Sequence, residues 1–311
     1  MGLRVVGLTV LVLISLLWGS SFVAIKVATG SFDALDIASG RLVIAALCLG
    51  GAALLMRARV PADPGVWVRL LALSLVGQMA PFFLLGVSGQ LTASSSSAMM
   101  MAAVPLLTFL TGRLFRDGDP WSPRIWLGLG IGFLGVLVTL GWPKPSDAGA
   151  ASDWLGKGAA ILAAGGYALG TLISRSLAGR VGLTATVATT MTLSAVLMGG
   201  VWLTLHGPNL LAGALAPAES WPDPTATLAL VLLGLVNTAG AYFAYFWLIR
   251  REGPTFATLN NYLVPIFGVI LGAVILSEPI QAQALAGLAL VLLGIAVVRA
   301  PIPVRSRARQ P

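Results

Sequence analysis

Two basic residues stand where a membrane helix tolerates them poorly. Arg41 lies about 8 residues, or about 12 Å, inside an apolar segment that begins near position 34. A guanidinium at that depth needs a partner, and Asp36, Glu278 or a solute carboxylate are the available ones, an ion pair within the protein being the preferred reading. Lys26 closes the preceding apolar segment near its far rim, where snorkelling is expected; Lys26 and Glu278 are also the candidates for charge pairing or for coupling to an ion. The amides of Gln78, Asn237 and Asn261 sit within apolar runs and have four bonding sites each to satisfy, so they are read as binding groups. Trp18, Tyr167, Tyr242 and Tyr245 add aromatic walls, and Ser21 and Ser97 add hydroxyls. Pro105 should free a backbone carbonyl one turn earlier, at Met101. This combination suits a small, partly apolar solute that is neutral or zwitterionic.

Catalysis finds no such support. The chain lacks HExxH and GxxxxGK[ST], Cys48 is its only cysteine, and His206, its only histidine, falls at a helix end with no obvious catalytic neighbour. No enzyme activity, cofactor or metal site is expected, and no proton relay through midplane is visible. Ser94 to Ser97 and glycines 128, 130, 132 and 135 are read as helix-packing contacts, and Trp67, Trp121, Trp142 and Trp202 as interfacial aromatics.

The elements that position these residues follow from composition. Of 311 residues 57% are hydrophobic and only 10% charged, too few charges to cover a soluble fold, for which about 25% is usual. About 20 apolar residues cross a ~30 Å hydrocarbon core as a helix. Cutting at charge and Pro/Gly clusters gives ten such segments: 4–27, 34–56, 68–88, 92–115, 124–142, 154–178, 182–206, 226–250, 255–276 and 281–299. Runs such as Leu285 to Val298 are apolar on every side, which argues for helices over an alternating barrel.

The net charge of +8 follows the same division rather than marking a nucleic-acid surface. With ten spans, Arg4, Arg57, Arg59, Arg69, Arg113, Arg116, Arg124, Arg175, Arg180, Arg250, Arg251 and the arginines from Arg299 onward all collect on one side, which the positive-inside rule makes cytoplasmic. Both termini fall on that side, and most of the acids fall opposite. The first span has no small-x-small cleavage site after it and is read as retained.

The chain also repeats itself. At an offset of 160 Pro105 matches Pro265 and Gly112 matches Gly272; after a one-residue gap Gly128 matches Gly287 and Gly135 matches Gly294. An offset of 149 pairs Trp18 with Tyr167 and Lys26 with Arg175. Five spans per repeat is odd, so the second half must insert upside down, an arrangement recurrent in secondary transporters with the solute site near midplane.

These landmarks resemble the drug/metabolite transporter superfamily, and within it the EamA-type ten-helix members, over nearly the whole chain. The resemblance rests on Leu17-Trp18-Gly19-Ser20-Ser21-Phe22 with Lys26, Arg41-Leu42, Pro105, Pro265, Leu271-Gly272, Ser277-Glu278-Pro279 and the Gly287/Gly294 spacing. It implies two inverted five-helix bundles around a central cavity and alternating-access movement of small metabolites such as amino acids, often as export.

The expectation is therefore an all-α integral membrane protein of the inner membrane. Its first repeat spans residues 1–150, its inverted second repeat 151–300, and a basic tail 301–311. It would act as a monomer in lipid on a small-molecule solute, without nucleic acid, with Pro105 and Pro265 as bending points. Multidrug export on the same fold and a pore or scramblase are the rival readings. The former is disfavoured because the interior of the spans carries no Asp or Glu for an organic cation.

Overall fold

A computed structural model describes residues 2–114, 123–140, 150–207, 222–252 and 260–299. Among these residues there is no strand, and each apolar segment of the sequence carries a helix. They are α1 (Gly2–Ala28), α2 (Ala34–Leu55), α3 (Pro64–Leu91), α4 (Ser94–Met100 and Val104–Leu114), α5 (Pro123–Leu140), α6 (Ala150–Leu177), α7 (Leu183–His206), α8 (Pro224–Gly234 and Ala241–Glu252), α9 (Asn260–Leu276) and α10 (Ala282–Arg299). Seven are long and apolar enough to cross a membrane; α5, α9 and α10 contain shorter apolar helices, Trp126–Thr139, Leu263–Leu276 and Ala282–Gly294. Large apolar side chains such as Leu47, Leu155 and Val274 point outward, as expected of a surface that meets lipid.

Local chemistry sets where helices begin. Asp33 and Asp36 form a reciprocal capping box at the start of α2, each carboxylate accepting the other's backbone N–H. Asp63 caps α3 ahead of Pro64, and Asp223 caps α8 ahead of Pro224, the proline filling a first-turn position that needs no donor.

Two helices depart from regular geometry at corresponding places. A π-turn at Leu75–Met79 interrupts α3, and another at Leu235–Gly240 interrupts α8, 160 residues later. A π-turn misaligns the carbonyl ladder, and side chains complete it: Ser194 Oγ donates to the Ser74 carbonyl at 3.0 Å and Thr238 Oγ1 to the Leu233 carbonyl at 2.7 Å. In α4 a 3-10 turn at Met101–Ala103 precedes Pro105.

The packing partners repeat under the same exchange of halves. α1 lies on α9 and α8, while α6 lies on α4 and α3; α2 packs on α7 and α5 on α10. The last pair meets through glycine. A Cβ on Gly287 would come within 2.7 Å of the Gly135 carbonyl oxygen, and one on Gly294 within 2.5 Å of the Gly128 carbonyl oxygen. The two glycines matched in each half thus contact their counterparts crosswise, and only a missing Cβ allows so close an approach. Gly130, on the other face of α5, has open space around it, so the packing reading holds for its neighbours and not for it.

Candidate functional site

Arg41 is the deepest charge in the described structure, 5% exposed and two turns into α2. Its Nε donates to Thr238 Oγ1 at 2.7 Å, in the π-turn of α8, and its guanidinium carbon stacks 4.0 Å from the centroid of the Phe82 ring of α3. The expected ion pair is absent: among the described residues no carboxylate reaches Arg41. Asp36 is occupied by the α2 cap and by Trp202 Nε1, which donates to it at 2.7 Å. Glu278 is occupied elsewhere, accepting the Ser94 N–H at 2.7 Å and the Ser95 N–H at 2.9 Å at the start of α4.

Aromatic rings from both halves gather beside this cation. Tyr167 of α6 lies edge-on to Phe82 at 6.4 Å, and Tyr242 of α8 packs in the same cluster and against Phe246 at 5.9 Å. Trp18 of α1 completes the row, T-shaped to Tyr242 at 5.7 Å and tilted to Tyr245 at 5.2 Å. Trp18 and Tyr167, the repeat-matched aromatics, each pair with another ring, Tyr242 and Phe82, and these two lie in one cluster. The arrangement offers one fixed positive fork, phenol hydroxyls and a broad apolar wall, and it draws on α1, α2, α3, α6 and α8.

The amides have other duties. Gln78, in the π-turn of α3, donates to Thr190 Oγ1 at 2.8 Å and accepts from Ser194 Oγ at 3.2 Å, so it fastens α3 to α7. Asn237, in the π-turn of α8, donates to the Leu17 carbonyl and, at 2.7 Å, to Ser20 Oγ, fastening α8 to α1. Asn261 is half-buried at the start of α9. Ser21 bonds its own helix at the Leu17 carbonyl, and Ser97 pairs with Ser88 at 2.6 Å, as the packing reading of the serine run requires. Met101 lies in the apolar core, and its carbonyl is taken by the Val104 N–H in the 3-10 turn. The proline therefore leaves no free acceptor there, because the helix tightens instead of opening. Pro105 follows that turn, whereas Pro265 is buried inside a continuous α9.

Lys26 does not snorkel. Its Nζ donates to the carbonyls of Gly89 and Thr92, both at 2.9 Å, and so closes the C-terminus of α3, where a cation also meets the negative end of the helix dipole. Thr92 in turn donates to Asp153, which pairs with Lys157 at 2.8 Å. Trp202 serves as a partner to Asp36 and His206 rather than as a belt residue, and His206 Nε2 stands 3.6 Å from Asp33. Trp67 is exposed and bonds the Pro61 carbonyl at 3.2 Å; Trp121 and Trp142 lie outside the described residues. The Asp33, Asp36, Trp202 and His206 grouping escaped sequence reasoning because α2 and α7 had no stated register against each other.

Comparison with known proteins fits this architecture. The profile of the EamA-like transporter family matches residues 5–141 and again residues 154–300. The chain is 26% identical to the uncharacterized inner membrane transporter YedA of Escherichia coli K12 over 260 residues, 83% of this chain and 78% of that protein. It is 24% identical to an uncharacterized transporter of Archaeoglobus fulgidus over 293 residues, 93% of this chain and 97% of that one. A solved crystal structure superposes with a TM-score of 0.62 at 21% identity, covering 96% of this chain and 98% of its own, a likeness of fold.

Proposed function

The chain belongs to the EamA-like transporter family of the drug/metabolite transporter superfamily, and from that premise we propose that it is an inner-membrane carrier exporting small amino-acid-like metabolites by alternating access. The observation that carries this reading is the row of Trp18, Tyr242, Phe82 and Tyr167 beside Arg41, supplied by helices of both halves and flanked by both π-turn helices. A site between two halves can be exposed to either side when they rock.

On this reading the helices are ten spans in two inverted repeats, residues 1–150 and 151–300, followed by the tail 301–311. The twofold family match and the crosswise glycine contacts support it. The Arg-rich ends are cytoplasmic, both termini included, and one chain supplies both halves, so the working unit is a monomer.

The two ends of the bundle differ in a way that suits alternating access. At the end bearing Lys26, Ser31 Oγ accepts the Asp223 N–H at 3.0 Å, Glu278 caps α4, Trp202 holds Asp36, and Gln283 Nε2 donates to the Val138 carbonyl at 3.0 Å. These polar contacts join separate helices across the proposed outer end. At the opposite end lies a shallow surface depression of about 220 Å³, between Met56 and Arg59 after α2 and Gly182 to Ala185 at α7, lined by none of the aromatic row.

The test is counterflow into proteoliposomes of the purified chain with a labelled panel of amino acids, organic acids and organic amines. Saturable uptake stimulated by unlabelled solute inside is the expected result. Non-saturable flux would favour a pore, and saturable flux of bulky organic cations would favour multidrug export.

A further inference from the structure

We propose that Arg41 is the anchor for a solute carboxylate, so that the chain recognises organic monoanions with an apolar or aromatic body through that carboxylate and not through an ammonium group. The inference rests on the transport reading and goes beyond it, replacing the amino-acid-like solute by an organic anion.

Three observations carry it. First, the guanidinium is 5% exposed yet only its Nε has a partner among the described residues, Thr238 Oγ1 at 2.7 Å. A buried cation is held at a cost unless a counter-charge completes it, and the two carboxylates expected to pair with it, Asp36 and Glu278, are bonded elsewhere. Second, Phe82 stacks on the guanidinium at 4.0 Å. Stacking covers the flat face and Thr238 takes Nε, which leaves the in-plane edge of both Nη atoms for a bidentate acceptor, the geometry a carboxylate matches. Third, the rings continuing from Phe82 through Tyr167 and from Tyr242 to Trp18 form an apolar wall that, among the described residues, contains no acid to receive an α-ammonium. A lone positive charge in such surroundings repels amines and attracts anions, and the wall favours an anion with a hydrophobic body over a small hydrated ion.

Three probes with one aryl body separate the charges: 3-phenylpropionate, phenylalanine and phenethylamine. Their binding to the purified full-length chain in neutral detergent is measured by isothermal titration, with chloride as competitor, and the same solutes are assayed in counterflow. The propionate is expected to bind at least as tightly as phenylalanine, and the amine not measurably. Arg41→Met should weaken propionate binding about 30-fold or more, since it removes one partner of a buried charged pair. Arg41→Lys should restore only part of it, because an ammonium keeps the charge and loses the fork. Because no carboxylate among the described residues depends on Arg41, the melting temperature of ligand-free Arg41→Met should be unchanged or raised; a structural ion-pair role would lower it. Should Arg41→Met fail to fold, Arg41→Lys still decides between charge and fork.

Equal binding of amine and propionate overturns the inference, as does undiminished propionate binding by Arg41→Met, displacement by chloride at matched concentration, or no binding of either carboxylate. Saturable flux that is indifferent to Arg41 leaves the transport reading standing and removes this inference. Arg41-dependent binding of the propionate without saturable flux does the reverse.

Discussion

Gly287→Ala tests whether the α5–α10 contact is as tight as the crosswise glycines require. The added Cβ would stand 2.6 Å from the Thr139 backbone nitrogen and 2.7 Å from the Gly135 carbonyl oxygen, against the 3.4 Å at which ordinary contact begins. The Thr139 hydroxyl stands nearer still and can turn away, but these two obstacles are backbone, so no rotamer change relieves them and α10 must retreat by about 0.8 Å. Overpacking of this kind costs about 1–3 kcal/mol. Alanine also favours a helix interior over glycine by about 1 kcal/mol, which partly hides the clash. Gly130→Ala on the same helix pair carries that propensity gain with open space around it, so the difference between the two variants isolates the clash. At about 2–4 °C per kcal/mol, Gly287→Ala should melt about 2–12 °C below Gly130→Ala in detergent, followed by tryptophan fluorescence. Gly294→Ala meets the Gly132 nitrogen at 2.5 Å and should behave alike. One displacement of α10 relieves both sites, so the double variant should lose less than the sum of the singles. Gly287→Ala melting level with or above Gly130→Ala would refute the close crossing.

Other groups give separate tests. Burial pushes the Glu278 carboxyl up, but the Ser95 and Ser94 N–H bonds outweigh it and hold the group below the ordinary Glu value. Its stabilisation is therefore complete above that ordinary value of 4.5 and lost as pH falls below it, so a melting-temperature profile between about pH 6 and about pH 3 should drop in acid, with Glu278→Gln flattening part of that drop. Lys26→Met removes both carbonyl contacts at the end of α3 and should cost about 1 kcal/mol, with faster amide exchange confined to residues near 86–92 and no change in the ion dependence of counterflow. Gln78→Leu should lower stability by about 1–3 kcal/mol through the loss of two bonds to α7, the Thr190 and Ser194 hydroxyls keeping their own bonds to the Val187 and Ser74 carbonyls, while leaving the KM of counterflow unaltered, since the amide faces α7 and not the aromatic row.

The segments holding these residues were legible because apolar runs bounded by charge leave the backbone no choice in lipid but to bond within itself. Observed helix ends fall near the expected ones, as with α2 at Ala34–Leu55 against an expected 34–56 and α7 at Leu183–His206 against 182–206. Part of the aromatic row was also legible, since Trp18, Tyr167, Tyr242 and Tyr245 occupy positions that helical spacing puts inside the spans, but Phe82, which stacks on Arg41, was not singled out. What each polar group does was not. Gln78 and Gln283 are both amides, yet one is clamped by two hydroxyls of α7 and the other by a carbonyl of α5. Partner choice depends on register between helices distant in sequence, and spacing within one helix carries no information about it. Arg41 illustrates the same limit: counting nearby carboxylates favoured an ion pair, but Asp36 had a nearer obligation to its own helix cap.

The π-turns were invisible for a related reason, and they alter where bending should be sought. A proline predicts its own kink from sequence, whereas each π-turn is completed by a side-chain donor, Ser194 of α7 for α3 and Thr238 of the turn itself for α8. Pro265 sits within an unbroken α9, and Pro105 follows a single tightened turn. By contrast, each π-turn bears the residue that fastens its helix across the bundle, Gln78 to α7 and Asn237 to α1, while Thr238 holds Arg41. A ligand that draws the guanidinium toward itself would therefore pull directly on the irregular turn of α8, which links occupation of Arg41 to one of the two helices that depart from regular geometry.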